Sequence, residues 1–361
     1  FPMPLPAETL MFAEAAAAGA AVARQGEAGE PAMVALVDRL RALDPPLAFT
    51  CARGSSDHAA TYAKFMFETR LGLPTVSQHP SLASVYGDPA RGARGAAFFA
   101  ISQSGRSPDL IAATRAAHRA GALVTALVND PAAPLADEAD SVMPITAGPE
   151  RSVAATKSYI ATLALIARLV AAWTADRELT DALAALPDAL AVAWQADWSE
   201  ALAPLAGARS LFVLGRGSTL AIAQEAALKL KETCALHAEA FSIAEVAHGP
   251  MTLVEPGFPV LVFPPHDVDR ALIRPVLDTL EAAGARLLET RLASPSTDRA
   301  EIGARLDAVQ ALVEDARLRG DLRDALRQAP EMERALSRLA LGRGGPRDLG
   351  AIRDGLAQAG R

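Results

Sequence analysis

The sequence is poor in cysteine and in lysine. Cys51 and Cys234 are its only cysteines, and their spacing matches neither a CxxC motif nor a metal-binding pattern. Such a chain fits a reducing compartment, so we expect a cytoplasmic protein with buried, inert thiols, no metal site and no cofactor. Of the 35 basic residues only four are lysines, and each is a candidate for a specific role: Lys64, Lys157, Lys229 and Lys231.

Long apolar runs and an excess of positive charge are also absent. The formal net charge is −7, and an acidic balance argues against a surface for nucleic acid. No apolar run reaches the roughly 18 residues that a membrane span requires, and the first ten residues lack the features of a secretory signal. With 361 residues, of which 51% are hydrophobic, we expect a folded protein of two domains with neither a nucleic-acid partner nor a membrane segment.

The sequence does contain an alternation of short apolar runs with helical stretches. Residues before 46 have helical spacing, and strand-like runs follow at 46–51, 96–101, 122–128, 211–214 and 259–263. This alternation is typical of parallel sheets that are covered by helices on both faces. We therefore predict an α/β protein with doubly wound parallel sheets.

One strand-to-helix turn occurs twice. Arg53-Gly-Ser-Ser56 and Arg216-Gly-Ser-Thr219 stand at the same point of two α/β units, which helical residues 155–205 connect. The expected division is N-terminal helices over 1–45, a first domain over 46–190 and a second, incomplete domain over 200–285. Residues 286–361 are rich in leucine and arginine with helical spacing and no strand pattern, so they predict an all-helical tail.

A serine-rich turn follows the apolar run 96–101. Ser102-Gln-Ser-Gly-Arg-Ser107 offers three hydroxyl groups, an amide and a glycine, Gly105, that lets the backbone approach a ligand. Pro108 suits the first helical position, with Ser107 as the cap. A helix cap alone would explain one such turn, but three hydroxyls at the carboxyl end of a parallel strand favour a phosphate site.

The helix predicted after Thr219 carries three groups that can act on a proton. By spacing, Glu225 and Lys229 predict a solvated ion pair, whereas Lys229 and Glu232 share a face, where an ammonium group can adjust a neighbouring base. His248 precedes Gly-Pro in a turn, which leaves its ring near the surface, and histidine can act as an acid or a base near neutral pH. From spacing alone, a structural role is the more common explanation for each of these side chains.

Eight short motifs occur in a fixed order along the chain. They are Arg53-Gly-Ser-Ser56, Ile101-Ser-Gln-Ser-Gly105, Ala147-Gly-Pro-Glu150, Val153-Ala-Ala-Thr-Lys157, Leu214-Gly-Arg-Gly217, Ala227-Leu-Lys-Leu-Lys-Glu232, His237-Ala-Glu239 and His248-Gly-Pro250. As an ordered set they resemble the sugar isomerase (SIS) family, in which glucosamine-6-phosphate synthases and SIS-type glucosamine-6-phosphate deaminases carry two tandem SIS domains. The resemblance implies two flavodoxin-like subdomains with doubly wound parallel sheets.

The resemblance also implies which residues bind the substrate. The positions that hold the sugar phosphate in the family match the serine-rich turn at Ser102, Gln103, Ser104 and Ser107. Those that hold sugar hydroxyls match Ser56 and the backbone near Val153. Ala155 stands where the synthase usually has a serine, so one hydroxyl contact is missing there.

Three further residues match catalytic positions of the family. Glu232 matches the base that moves a proton between C1 and C2, Lys229 matches its companion, and His248 matches the ring-opening histidine. In the family that histidine comes from the neighbouring subunit, so the resemblance implies a homodimer that binds an amino-sugar phosphate.

The expected reaction converts glucosamine 6-phosphate to fructose 6-phosphate and ammonia. No glutaminase domain precedes the SIS-like region, so we expect release of ammonia rather than glutamine-dependent synthesis. Two alternatives stay open: a catalytically silent phosphosugar-binding module, and the isomerase half of a synthase. A sugar-responsive DNA regulator would need a helix-turn-helix within residues 1–45, which are too short and too acidic for one.

The end of the chain departs from the SIS pattern. Segments 292–298, 304–309 and 333–348 resemble a helical core segment of the mismatch-repair protein MutS, which implies a fused or chimeric chain. A helical extension specific to this family is the alternative. We expect the second sheet to lack a strand, and catalysis to be weak or absent because the basic closing segment of SIS enzymes is missing.

Overall fold

The structure is a computed structural model that describes residues 9–87, 90–196, 198, 201, 204–205, 207–265 and 272–289. Both sheets lie in one compact unit, Phe1–Ser294. The predicted helical tail lies outside the described residues from position 290 onward.

Three helices precede the first sheet: α1 (Leu10–Ala16), α2 (Ala18–Ala28) and α3 (Glu30–Leu43). α1 begins after Thr9, whose side-chain oxygen accepts a hydrogen bond from Phe12 N at 3.2 Å. α3 carries a proline in its first turn, where the missing N–H costs little. Its buried residues Leu36 and Leu40 are one helical turn apart and pack into the core of the first domain.

The first sheet has five parallel strands: β1 (Ala48–Cys51), β2 (Thr75–Ser77), β3 (Ala97–Ser102), β4 (Leu123–Val128) and β5 (Ser141–Pro144). Their order across the sheet is β2-β1-β3-β4-β5, which is the order of flavodoxin-like folds. All six residues of β3 are buried. This strand lies in the interior of the sheet, and it therefore has the continuous apolar sequence that predicts it.

Helices cover both faces of this sheet: α4 (Ser55–Met66), α5 (Ser81–Ser84), α6 (Pro108–Ala120) and α7 (Lys157–Thr174). On one face, α3, α4 and α7 share a core that includes Phe67, Phe99 and Leu165. On the other face, α6 packs through Leu110 against Phe98 of β3. The prediction of a doubly wound sheet is confirmed for the first domain.

α8 (Arg177–Trp194) follows α7, and the second sheet begins at residue 210. Its four parallel strands are β6 (Ser210–Gly215), β7 (His237–Ser242), β8 (Pro259–Val262) and β9 (Arg286–Glu289), in the order β7-β6-β8-β9. α9 (Ser218–Cys234) covers one face through Ala223 and Ala227. α10 (Arg274–Ala282) covers the other through Leu277. The order repeats that of the first sheet up to its fourth strand.

The second domain extends further than predicted. We expected it to stop at 285 and the following residues to lack a strand, but Arg286–Glu289 form β9 and pair with β8. Leu287 and Leu288 pack into the cores on the two faces of the sheet, so the strand stabilises this domain. Within the described residues, the second sheet has four strands and the first has five.

The repeated turn has nearly the same backbone in both domains. Gly54 has φ 57° and ψ −135°, and Gly217 has φ 60° and ψ −128°. Only glycine adopts this region without strain. The two turns therefore support the inference from the sequence that one α/β unit is present twice.

The topology also locates the place where a ligand is expected. In the first sheet the chain runs from β1 to the outer strand β2, then crosses back so that β3 lies on the other side of β1. Ligands of open α/β sheets bind beyond the carboxyl ends of strands at such a crossing point, here between β1 and β3. None of the helices in the described region combines the length and apolarity needed to cross a bilayer.

Candidate active site

The serine-rich turn lies at the carboxyl end of β3, at the crossing point. Ser102 is buried and its Oγ accepts a hydrogen bond from Gly105 N at 3.0 Å. Ser104 is exposed, and its Oγ accepts from Arg106 N at 3.4 Å. Ser107 occupies the N-cap of α6, yet its hydroxyl makes no capping hydrogen bond. The helix cap therefore does not use the Ser107 side chain, which stays available to a ligand.

Gly105 has a packing role that the sequence analysis did not predict. It is buried with φ +62°, and a Cβ at this position would lie 2.6 Å from Cβ of Ala133. Leu135 N also donates to its carbonyl oxygen at 3.1 Å. Close packing inside the domain therefore requires glycine here, and the predicted role in letting a ligand approach stays a prediction.

Asn129, directly after β4, ties two neighbouring loops together. Its backbone N donates to the carbonyl oxygen of Gln103 at 3.2 Å. Its side chain donates to Gly148 O at 2.9 Å and accepts from Ala147 N at 2.8 Å. Gln103 itself is half-buried. The asparagine thus connects the serine-rich turn to the loop after β5, a role that the sequence analysis did not assign.

The turn after β1 faces the serine-rich turn across the crossing point. Arg53 and Asp109, in the first turn of α6, form an ion pair that joins the two turns. Ser56 is half-buried, and within the described residues its hydroxyl makes no hydrogen bond. Ser56 and Ser107 therefore each keep a hydroxyl group free at the two helix N-termini that border the crossing point.

Two glutamates hold the loop after β5. Glu150 accepts hydrogen bonds from Thr156 N at 2.9 Å and from the Ser158 hydroxyl. Glu14 of α1 accepts from Arg151 N and from Ser152 N. Burial acts to raise the pKa of Glu14, but these backbone hydrogen bonds outweigh it, and its pKa is lowered.

The side chain of Val153, at the tip of this loop, is fully exposed, and Ala155 is half-buried. Only the backbone of the tip can therefore offer polar groups to a ligand. The position of the loop, after the carboxyl end of β5, puts this backbone at the ligand-binding edge of the first sheet.

Lys229 of α9 contacts two glutamates at once. Its Nζ lies 2.6 Å from Oε2 of Glu232 and 3.3 Å from Oε1 of Glu225. The side chain of Lys229 is 15% exposed and that of Glu232 is 33% exposed. Glu232 is thus held beside an ammonium group and still reaches solvent, as a base that must meet a substrate requires.

Glu225 is not the solvated residue that its spacing from Lys229 predicts. It is buried, and it accepts a hydrogen bond from the Ser55 hydroxyl at 2.8 Å. His58 Nδ1 lies 2.7 Å from its other oxygen. Ser55 and His58 belong to α4 of the first domain, so Glu225 joins α9 of the second domain to the turn after β1. Packing between the two domains overrides the usual exposure of an ion pair on a helix.

His248 ends a short 3₁₀ turn, Val246–His248, and is exposed as predicted. Within the described residues its ring makes no hydrogen bond or ion pair, either with Glu232 or with Lys229. Within one chain, the described structure therefore does not link His248 to the Lys229–Glu232 pair.

The two cysteines differ. Cys51 is buried at the end of β1, and burial, together with the charges of Asp109 and Asp57, raises the pKa of its thiol to about 12. Cys234 is exposed, so the prediction of two buried thiols is wrong for this residue. It ends α9, where the helix surface faces solvent. Within the described residues, no three His, Cys, Asp or Glu side chains come together as metal ligands.

The structure thus brings together two groups of the predicted residues. The serine-rich turn and Ser56 border the crossing point, and Lys229 with Glu232 is tied to the same place through Glu225 and Ser55. His248 stays apart within one chain. Sequence analysis missed His58, because nothing in its local sequence shows that it meets a glutamate 167 residues away.

A model of the SIS domain matches residues 46–172 and 204–288, which is more than half of the chain. A model of MutS domain III matches residues 270–361 and overlaps the second SIS match. In the described part of this overlap, β9 is a strand of the second sheet and α10 packs on one face of that sheet. The rest of the MutS match lies outside the described residues.

Curated relatives include glutamine–fructose-6-phosphate aminotransferases. The protein from Bradyrhizobium diazoefficiens is 36% identical over 229 residues, which are 60% of this chain and 37% of the relative. The protein from Methanothermobacter thermautotrophicus is 37% identical over 241 residues, 66% of this chain and 40% of the relative. The chain therefore spans about two fifths of the length of these relatives.

Two solved structures that resemble this chain also come from proteins named for sugar phosphates. A protein of Silicibacter pomeroyi, provisionally named a phosphosugar isomerase, is 46% identical with a TM-score of 0.75, over 78% of this chain and 86% of that one. The C-terminal domain of a glucosamine-fructose-6-phosphate aminotransferase from Francisella tularensis is 25% identical with a TM-score of 0.65, over 78% of this chain and 83% of that one. With two sheets of the matching topology and a family model that covers both, the chain belongs to the SIS family.

Proposed function

We propose that this protein is a phosphosugar isomerase that converts glucosamine 6-phosphate and water to fructose 6-phosphate and ammonia. The observation that carries the proposal is the contact between Glu225 of α9 and Ser55 at the turn after β1. It ties a lysine–glutamate pair from the second domain to the crossing point of the first sheet, beside the serine-rich turn. The aminotransferase relatives are named for action on fructose 6-phosphate, and this supports a hexose phosphate as the substrate class.

The serine-rich turn is the proposed phosphate site. Ser102 Oγ accepts from Gly105 N, so its own hydrogen is left to donate to an anion. Ser104 and Ser107 offer two more hydroxyls at the N-terminus of α6, where the helix dipole favours negative charge. A dianionic phosphate held there supplies binding energy away from the reacting carbons.

Glu232 is the proposed base. It removes the proton from C2 of the open-chain amino aldose and returns it to C1, while O1 gains a proton and the C2 amine loses one, which gives the C2 imine of fructose 6-phosphate. Water then hydrolyses the imine, and fructose 6-phosphate and ammonia leave. The Lys229 ammonium, 2.6 Å from Glu232, stabilises the carboxylate before it takes the proton from C2 and again after it has delivered the proton to C1.

His248 is the proposed acid–base group for ring opening, supplied by a second copy of the chain. Within the described residues, its exposed ring makes no hydrogen bond or ion pair with Lys229 or Glu232 of its own chain, which is consistent with a site completed in a homodimer. Mixing two inactive variants, His248→Ala and Glu232→Gln, should then restore about a quarter of wild-type turnover, because hybrid dimers contain one intact site. No recovery on mixing would contradict a shared site.

The direct test incubates the protein with glucosamine 6-phosphate and measures ammonia and fructose 6-phosphate. Glu232→Gln should lower kcat by about a thousandfold, since general acid–base catalysis contributes factors of about 10² to 10⁴. Glu281→Gln is the matched control, because Glu281 is an exposed glutamate that pairs with Arg274 on α10. Wild-type turnover equal to that of Glu232→Gln would refute the proposal.

Two further measurements separate the alternatives. Interconversion of glucose 6-phosphate and fructose 6-phosphate without ammonia would assign an isomerase that does not deaminate. Binding of glucosamine 6-phosphate without any turnover would assign a catalytically silent phosphosugar-binding module. Either result would refute the deamination, and the second would refute catalysis as well.

A further inference from the structure

Glu225 is a buried carboxylate that the proposed chemistry does not use. It is 6% exposed and lies where α9 of the second domain meets α4 of the first. One carboxylate oxygen accepts from Ser55 Oγ at 2.8 Å and lies 3.3 Å from Lys229 Nζ. The other lies 2.7 Å from His58 Nδ1. A carboxylate only accepts hydrogen bonds, so Nδ1 of His58 carries the proton in this contact.

These contacts form a continuous chain of polar groups. His58 contacts Glu225, Glu225 contacts Lys229, and Lys229 contacts Glu232 at 2.6 Å. The chain begins on a helix of the first domain and ends at the proposed base on the second. A buried charge is costly unless it is paired and hydrogen-bonded, so each member restricts where the next can lie.

Lys229 is the member whose position is hardest to fix by packing. Its ammonium group sits on a flexible four-carbon stem that has many rotamers in solution. Here Nζ has one carboxylate on each side, at i−4 and i+3 on the same helix, and Ser55 Oγ at 3.4 Å. Without Glu225, only Glu232 and the serine hydroxyl would hold it.

We propose that His58 and Glu225 are positioning residues that hold Lys229 beside Glu232, so that the first domain sets the geometry of the proton-transferring pair on the second. This inference rests on the proposed function for its catalytic meaning. The physical claim, that His58 and Glu225 restrain Lys229, holds independently of any substrate. The competing hypothesis is that these contacts only hold the two domains together and do not affect the position of the Lys229 ammonium.

The scarcity of lysine makes Lys229 directly measurable. An amine-reactive acetylating ester, followed by peptide mass spectrometry, reports the labelling rate of each lysine in the folded protein. Lys231 lies two residues away on α9 and is exposed, so the ratio of Lys229 to Lys231 labelling corrects for reagent and conditions. A low ratio is expected in the wild type, because Lys229 is mostly buried and its ammonium is bound to two carboxylates.

Four variants test the restraint. Glu225→Gln should raise the labelling ratio by about tenfold, the effect expected when a charged partner of a partly buried ammonium is removed. His58→Leu should also raise it, because Glu225 then loses a hydrogen bond that holds it in position. His58→Asn should stay near the wild type, because its amide N–H can take the place of Nδ1. Glu68→Gln is the control: Glu68 also pairs with a lysine four residues away, Lys64, but both are exposed.

Steady-state kinetics then connect the restraint to catalysis. His58→Leu and Glu225→Gln should lower kcat by about tenfold or more with little change in KM, because the phosphate-binding turn is untouched. Contacts that only hold the two domains together would change the melting temperature and leave kcat near the wild-type value. Thermal melts of every variant identify any that do not fold, and Glu225→Gln, nearly the same size as the wild-type side chain, is the variant least disturbing to packing.

The outcomes are distinct. Equal labelling ratios in the wild type, His58→Leu and Glu225→Gln overturn the inference, whatever the kinetics show. If His58→Asn behaves like His58→Leu, the hydrogen bond from position 58 is not the cause, and the role of His58 is refuted. If the ratios shift but the wild type turns over no glucosamine 6-phosphate, the proposed function fails and the restraint stands.

Discussion

The turn after β1 and the turn after β6 have the same sequence pattern and nearly the same backbone, yet their hydroxyl groups differ in what they bind. In the second domain, Thr219 Oγ1 accepts from Arg216 N at 3.0 Å and donates to Phe263 O at 2.7 Å. Phe263 directly follows β8, so this hydroxyl bridges the crossing point of the second sheet. In the first domain the hydroxyl of the matching residue, Ser56, makes no hydrogen bond within the described residues.

The difference shows how one duplicated unit has acquired two roles. The first domain leaves hydroxyl groups free at the crossing point, where a ligand can use them. The second domain uses its hydroxyl internally, and its turn packs on Phe65 of the first domain. The second domain contributes a helix instead, which brings Lys229 and Glu232 to the site of the first. Four experiments test this comparison, from the largest expected effect to the smallest.

The two sets of hydroxyl groups should differ most in ligand affinity. Ser102→Ala/Ser104→Ala should weaken glucosamine 6-phosphate binding by about a hundredfold or more, because each hydrogen bond to a charged group contributes about 1.5–3 kcal/mol. As a control, the double variant Ser218→Ala/Thr219→Val in the turn after β6 should leave the Kd within about twofold. Isothermal titration calorimetry measures both. Equal losses would mean that both turns bind ligand.

The two glycines should differ in stability. A side chain at Gly54 meets no atom within 4 Å, so Gly54→Ala should cost only backbone strain, about 1–3 kcal/mol. A Cβ at Gly217 would come within 3.1 Å of the Phe65 ring, so Gly217→Ala should destabilise the protein by about 1 kcal/mol more. Urea denaturation gives the free energy of unfolding. A larger loss for Gly54→Ala would contradict this account of the second turn.

Removing a single hydroxyl from each turn should change the free energy of unfolding by different amounts. Thr219→Val leaves the partners of a part-buried hydroxyl unpaired and should cost about 1–2 kcal/mol of unfolding free energy. Ser56→Ala breaks no hydrogen bond within the described residues and should stay within about 0.5 kcal/mol of the wild type. The urea experiment measures both variants. A loss for Ser56→Ala as large as that for Thr219→Val would show that the first turn also uses its hydroxyl internally.

The two thiols should react differently without any mutation. Burial raises the pKa of Cys51 to about 12, so at pH 8 this residue is a shielded, protonated thiol. Cys234 of the second domain is exposed and should react rapidly with a disulfide reagent. We expect one fast thiol in the native protein and two after denaturation. Two fast thiols in the native protein would contradict the burial of Cys51.

The sequence predicts the inner strands of both sheets but not the outer ones. β3 and β4 are almost completely buried and therefore appear as apolar runs. β2, β7 and β9 lie at sheet edges and are largely half-buried or exposed, so they lack that signal. This is also the reason that the predicted boundary at 285 leaves out β9.

The candidate site divides in a similar way. The serine-rich turn and the Lys229–Glu232 pair are local patterns, and spacing along one segment is enough to find them. The contact of His58 with Glu225 joins residues 167 positions apart, and no spacing rule predicts it. The same contact reverses the expected exposure of Glu225. Burial of an ion pair is set by whichever element packs over it, which a single helix sequence does not specify.

The contacts of Glu225 also constrain motion. Its hydrogen-bonding partners Ser55 and His58 belong to the first domain, and Lys229 belongs to the second. If the two domains swung apart like a hinge, the carboxylate would lose both hydrogen bonds across the seam. We therefore expect the pair of domains to move as one rigid body, and substrate to reach and leave the crossing point while α9 stays in contact with α4.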